Sequence, residues 1–527
     1  MAVSLFDLPT ELLIRIFVDL DISDLVSCQL TNSSICTIIS DSVVLSYLKA
    51  KCFAGIEDNS NCRLSISERL DLLVARVNAW QDISIDFKQS IEVNHDPSGI
   101  YELTGGVYLL GDDSRRALHY LTLPTKPSDV MAWSKIKVDR DVIDLALAIY
   151  EHDLLAIITT LVLIFVSKTP HLENASHIIE IELLKFSTGQ PHPFARQSRL
   201  FVVDSDWPRP AISMEISGDN LALVVTYFRQ NFQPNDHFYI YEWKTGVLKM
   251  EIDAPGGSFG GLVFLTPQIL LLPNTLKGVF EFWKVPSIPN TAPTRPIAAL
   301  GLPTLREGHI FSMLSCRGEP NPVKDGIPYA AQPFHSSPMD AIVIFNLRVQ
   351  GMEVVVPGNS FSLFVHRRAL FELCPDITMP QPYDEVVIPW ERWGPSVTRW
   401  LGAGVMPTRW ITTTCGQRCV FRLTRAGDEP SPIVVLDFNP ASVKHAVADV
   451  PTCRPSYAVM SSEIVHISFQ APIVSALPYA CYWSPDVFNY DGLLMDEERL
   501  IGLHTNVLDK ITRVEVLHLG QYGIEEK

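Results

Sequence analysis

The sequence predicts an α+β chain of more than one domain, with a small N-terminal α-helical module ahead of a large, mainly β domain. Three observations carry this. Up to about residue 82 the apolar residues recur one, three and four apart, the period of an amphipathic helix. From about Ile83 short apolar or alternating runs separated by turn residues take over and continue to the C-terminus. Within that β region a strand–turn–strand pattern recurs, the mark of a repeated supersecondary unit.

The helical region opens at Leu8 and Pro9. Pro9 suits a first helical position, where no amide hydrogen bond is required, and Glu11 sits against the positive end of the helix dipole. Leu12, Leu13, Ile16, Phe17 and Leu20 then form a broad apolar stripe. A second helix starts at Asp21 or Ser23, with Leu25, Val26, Cys28 and Leu30 behind it. A third follows Thr31–Ser34 and carries Ile35, Ile38 and Ile39. Three such short helices are too small to bury these faces alone, which predicts a partner as their cover.

The order Leu8-Pro9, Glu11-Leu12-Leu13, Ile16-Phe17, Leu20, Asp24-Leu25, Cys28 resembles the F-box. That resemblance implies docking on the Skp-type adaptor of a cullin-RING ubiquitin ligase, and through it on cullin. The adaptor-binding residues it implies are Leu8, Pro9, Leu12, Leu13, Ile16, Phe17, Leu20 and Leu25. The third helix departs from the pattern: Asn32, Ser33 and Ser34 stand where a basic residue and a tryptophan are often found.

Residues 1–48 are assigned to this module and 49–82 to a helical connector. Val43, Val44, Tyr47, Leu48 and Cys52 continue a helical stripe, and a polar loop is expected from Glu57 to Arg63. Ser65 and Glu68 have capping-box spacing, and Ile66, Leu70, Leu73, Val74, Val77 and Trp80 follow on one face.

Residues 83–527 are assigned to the β domain. The run HIIEIELLKF ends in Ser187-Thr188-Gly189, and HFYIYEWK ends in Thr245-Gly246. Upstream, His152-Asp153-Leu154-Leu155-Ala156 parallels Gly218-Asp219-Asn220-Leu221-Ala222. A strand, a polar turn, a second strand and a Thr-Gly hairpin at this spacing suit a β-propeller blade, and about seven blades fit the region. A large sandwich or two smaller β domains is the alternative.

Longer strings extend the resemblance to a large mushroom-type fungal group of F-box proteins, among them SVVLSYLKAKCFAGIED, LSISERLDLL, STGQPHP, WGPSVTRW and LLMDEERLIGL. It implies a propeller-like C-terminal region and brings no catalytic residues.

Composition narrows the function further. A formal charge of -17 and a pI near 5.3 argue against a nucleic-acid or anionic membrane partner. Ten cysteines without regular spacing suit reduced thiols, and no basic n-region precedes the first apolar segment, so a cytoplasmic and/or nuclear location is expected. Leu154–Val166 is too short to cross a membrane and reads as buried strand.

No catalytic residue, metal site or cofactor is expected. Gly256-Gly257-Ser258-Phe259-Gly260 fits the nucleophile-elbow string, but a strand-like segment follows the serine where a helix is needed. Cys415 and Cys419 have zinc spacing but lack a second close pair. Trp390, Trp393, Trp400 and Trp410 cluster with Arg392, Arg399 and Arg409. Such residues pack between blades or serve as binding hot spots; packing is the stronger expectation, and Trp390, Trp393, Arg409 and Trp410 are retained as target-binding candidates. The expected role is that of a non-enzymatic receptor, presenting an unknown protein substrate to the ligase. The alternative is a non-ligase interaction scaffold using the same helices.

Overall fold

A computed structural model describes residues 8–166, 173–207, 209–227, 234–289, 295–351, 359–376, 386–402, 410–423, 429–448 and 457–520. Five helices come first: α1 (Thr10–Val18), α2 (Ile22–Thr31), α3 (Ser33–Asp41), α4 (Val43–Ala54) and α5 (Ile66–Asp82). Side-chain caps set the corners between them. Asn32 accepts hydrogen bonds from the amides of Ser34 and Ile35 and starts α3, while Ser42 accepts from Leu45 and starts α4. The Ser65–Glu68 capping box is formed, with each side chain reaching the other residue's amide. Residue 48 lies inside α4, so one rigid helix crosses from the first module into the connector.

Among the described residues seven β-sheets of four or five strands follow, with two further two-stranded ladders outside them. Blade 1 comprises Pro97–Thr104, Val107–Asp112, Ala117–Thr122 and Ser134–Lys137. Blade 2 comprises Asp141–Ala148, Leu154–Val166, Glu173–Lys185 and Arg199–Ser205, and blade 3 comprises Ala211–Ser217, Asn220–Thr226, Asp236–Glu242 and Val247–Ala254. Blades 4, 5 and 6 begin at Val263, His309 and Thr414. Blade 7 takes Gly492–Met495, Arg499–Thr505 and Ile511–Leu519 from the C-terminal end. Its outermost strand comes from far upstream: β2 (Ile85–Glu92) pairs antiparallel with Ile511–Leu519, Gln89 opposite Val516. A sheet built from both ends of the chain closes the ring.

The core repeats this order. Each interface between neighbouring blades holds its own buried apolar layer, from blades 1 and 2 (Ile100, Leu109, Leu145, Ile157) round to blades 7 and 1 (Leu494, Val514, Tyr108, Leu121). Central strands therefore face apolar neighbours on both sides. This is why Asn220–Thr226 and Ile269–Asn274 are buried at every residue and read as continuous apolar runs.

The sequence repeat acquires a structural meaning here. Asp153 and Asp219 occupy the same turn between first and second strands in blades 2 and 3, and their carbonyls accept the amides of Phe186 and Trp243 at 2.7 and 3.1 Å. Gly189 and Gly246, with φ of 65° and 78°, close the equivalent Thr-Gly hairpins.

All turns between first and second strands lie on one face of the ring, here called the lower face. In blade 5 this connection is long, running from Gly318 to Ala341 beneath the central channel. Arg367, fully buried, fixes it by donating to the carbonyls of Gly318, Pro320 and Pro338. Further along, Ser217 donates to Pro322 O and the Lys324 amide donates to Glu151, so the segment crosses under blades 2 and 3 as a plug.

Inside the channel, Glu102, Asp144 and Glu215 project from the first strands of blades 1, 2 and 3 towards Arg317. Arg317 lies 2.5 Å from Glu102 and 3.4 Å from Glu319. Burial, aided by neighbouring carboxylates, pushes the Asp144 carboxyl up to about 7 and Glu319 up to about 8.

Candidate functional site

Pro9, Leu12 and Ile16 lie three and four residues apart at the start of α1, on one helix face. Leu12 and Ile16 are 46 % and 42 % exposed, and Pro9 is exposed too. The opposite face of α1 turns inward. Leu13, Phe17 and Leu25, at 3 % exposure or less, pack with Ile39 and Leu45 in the module's own interior, flanked by the half-buried Leu8 and Leu20.

The residues expected to dock on an adaptor thus divide into two groups. Pro9, Leu12 and Ile16 expose apolar surface, with Leu8 and Leu20 partly exposed beside them. Leu13, Phe17 and Leu25 offer none and act by holding the helices together. The expectation that these helices cannot bury their own faces is corrected for that second group: Leu45 of α4 supplies the missing cover.

The helical module is fixed to the lower face of the propeller. The segment expected as a polar loop begins as a strand, β1 (Ile56–Asp58), paired antiparallel with Phe334–Ser336 of the plug. The Asn59 side chain then donates to the carbonyls of Ala330 and Gln332, both at 2.9 Å. Asp58 ties α4 to α5. Burial opposes its charge, but Lys51 at 2.7 Å, Tyr47 and Arg69 together hold its carboxyl below the usual range. From α5, Trp80 is buried and donates its indole N–H to Glu497 O at 3.1 Å. Its ring lies under the Arg418 guanidinium, 5.2 Å from the ring centre. No local signal in the sequence announces this joint, because its partners lie some 270 to 420 positions away.

The tryptophan cluster separates similarly. Trp390 and Trp393 are buried with Trp400 in the layer between blades 4 and 5, where Trp393 donates to Gly301 O at 2.8 Å. Their retention as target-binding candidates is corrected, because neither presents a surface to a partner. Trp410 is half-buried, edge-on to Tyr101 at 5.5 Å. Arg409 lies outside the described residues.

The enzyme-like strings dissolve into structure. Ser258 is buried and donates to Pro255 O in a tight turn. Cys415 and Cys419 face each other's strands across a two-residue hairpin, and no cluster of metal-ligating side chains occurs among the described residues. No helix among them is long and apolar enough to cross a membrane.

Comparisons with known proteins agree with this architecture at its N-terminus. Residues 5–48 match the F-box-like family model. No curated protein sequence matches the chain. Solved structures to which the chain is similar include the C-terminal WD40 domain of Sif2, at 10% identity over 82% of this chain and 98% of that one, with a TM-score of 0.34. BamB from Moraxella catarrhalis shares 11% identity over 81% and 98%, with a TM-score of 0.29. At these scores the strand order and the closed ring of apolar layers carry the fold assignment. The architecture is an F-box-like helical module fixed to a seven-bladed β-propeller. The chain thus carries an F-box-like module, matched over residues 5–48, ahead of a β-propeller C-terminal region.

Proposed function

We propose that the chain is the substrate-recognition subunit of an SCF-type ubiquitin ligase, docking on a Skp-type adaptor through the exposed face of α1 and presenting a protein target on the propeller. The observation that carries this is the Pro9–Leu12–Ile16 stripe, apolar and uncovered inside the segment that matches the F-box-like family. A stripe buried by its own module would have no such use.

The role is non-catalytic. A target held by the propeller experiences a raised effective concentration of the ligase's ubiquitin carrier, and proximity supplies the rate enhancement. The joint between α4–α5 and the plug suits this, since a rigid link fixes the distance between adaptor and target.

The test is capture of a recombinant Skp-type adaptor by the full chain and by a Leu12→Glu/Ile16→Glu variant. Capture by the parent and its loss in a variant with an unchanged circular dichroism spectrum supports the proposal. Failure of the folded parent to bind any Skp-type adaptor overturns it.

A further inference from the structure

Between the plug and the lower mouth of the channel lies a cavity of about 120 Å³, walled by first-turn residues of blades 1, 2 and 7, by the end of blade 3's first strand and by Thr414 of blade 6. A space of this size holds several waters or one organic group of about half a dozen heavy atoms. We infer that it is a binding site for a small organic cation rich in N–H donors, of the guanidinium or alkylammonium class.

The first argument is unmet hydrogen-bonding capacity in the wall. Thr414 is 2 % exposed, yet its hydroxyl has no partner. Asn321 donates Nδ2 to Glu215 at 2.6 Å, which fixes the amide orientation and leaves Oδ1 buried and unpartnered. Gln332 Oε1 is in the same state. Two are amide oxygens that only accept and the third a hydroxyl that can, so the matching ligand brings donors.

Charge is the second argument. Four carboxylates line the cavity, Glu151, Asp496, Glu497 and Glu498, beside Glu319, which burial keeps protonated, and two guanidiniums face them, Arg499 in the wall and Arg76 paired with Glu497. Arg499 is already committed, at 2.7 Å to Asp496 and 2.8 Å to Pro124 O. Glu498 stands 3.7 Å from it, beyond hydrogen-bond reach. A cation gains from this surplus, whereas a neutral molecule of the same shape does not.

Shape is the third. Leu103, Leu147, Ile216 and Pro322 supply apolar wall, which suits the stem of an alkylated cation, and Tyr150 stands largely buried beside Gly105 and Gly106. Two sources share this chemistry, a free small molecule and the side chain of an arginine or lysine on a bound protein. The site is remote from α1, so its test is independent of adaptor docking.

Calorimetric titration of the full chain with methylguanidinium, with neutral N-methylurea and with a backbone-blocked arginine tests the inference. Saturable binding of methylguanidinium is expected, with a dissociation constant between about ten micromolar and one millimolar, the range open to so small a ligand. N-methylurea is expected to bind at least about tenfold more weakly. Thr414→Val keeps the side-chain shape and is expected to weaken methylguanidinium about fivefold, and Ala148→Leu to abolish binding by filling the space. Binding of the blocked arginine identifies a protein side chain as a source, and its failure beside methylguanidinium binding identifies a free small molecule; both leave the site standing. Equal binding of the cation and the urea, no saturable binding up to about 10 mM, or parent-like binding by a folded Thr414→Val variant overturns it.

Discussion

Arg76 of α5 and Glu497 of blade 7 form an ion pair at 3.2 Å, largely withdrawn from solvent, where the helical module meets the propeller. Burial opposes the Arg76 charge, but Glu497 and Glu498 outweigh it and hold the guanidinium above its ordinary value. Glu497 also accepts the Ser336 amide at 2.6 Å, so one carboxylate joins α5, the plug and blade 7. Removing the cation leaves that carboxylate uncompensated. Arg76→Ala is expected to cost about 3 kcal/mol, read as a lower urea midpoint. Amide exchange should show the loss concentrated in α5 and β1, with blades 3 and 4 protected as before.

Gly55 ends α4 in the left-handed region, φ 65°, with its carbonyl accepting the Ser337 amide at 2.8 Å. A Cβ built there would lie 2.1 Å from the Gln417 side-chain amide. Gly55→Ala therefore combines backbone strain of about 1–2 kcal/mol with a displaced Gln417. The steric part is separable: Gln417→Ala in the same chain is expected to restore some of the melting temperature, while the strain persists. Additivity of the two substitutions would refute the clash.

Neighbouring residues on α1 are expected to behave oppositely. Phe17 sits in the module's interior at 3 % exposure, and Phe17→Ala should cost about 3–5 kcal/mol of its stability. Leu12→Ala, at a position 46 % exposed, should cost well under 1 kcal/mol. Adaptor affinity is the second readout. Leu12→Ala should weaken capture by about tenfold without a change in melting temperature if it is a central anchor, and a variant that binds as the parent does removes Leu12 from the docking face.

What was legible in the sequence was local. Strand alternation, the Thr-Gly hairpins and the parallel between Asp153 and Asp219 all express geometry within one blade, so they predict blades and their approximate number. Ring closure is not local: β2 looks like any other strand until it is paired with Ile511–Leu519 at the other end of the chain. The same holds for the joint. Glu57 and Asp58 look like polar loop residues because a two-stranded ladder needs no apolar stripe when its partner, Phe334–Ser336, lies in another loop. Periodicity also showed that α1 is amphipathic without showing which apolar residues its own module buries. Leu12 and Leu13 are adjacent and chemically alike; only the position of α4 puts one outside and the other inside.

Asp144 gives the channel a pH dependence that can be worked out by sign. Burial, together with Glu102 and Glu215 and against the pull of Arg317 and the Leu145 amide, raises its carboxyl to about 7 in the fold, well above its unfolded value. A carboxyl raised on folding contributes no penalty below its unfolded pKa, where it is protonated in both states. As pH rises, the unfolded chain gives up the proton first, so stability falls until the folded carboxyl itself ionises near pH 7, and is level above that. Asp144→Asn keeps an acceptor for the Leu145 amide and removes the titration. The variant is expected to match the parent near pH 4 and to exceed it at pH 8 by on the order of 2 kcal/mol, an amount reduced from the full linkage value by solvent in the channel. Unfolding midpoints in urea at the two pH values measure the difference directly. A gap that is equal at both, or larger at pH 4, would mean that Asp144 is ionised in the fold and that Arg317 compensates it.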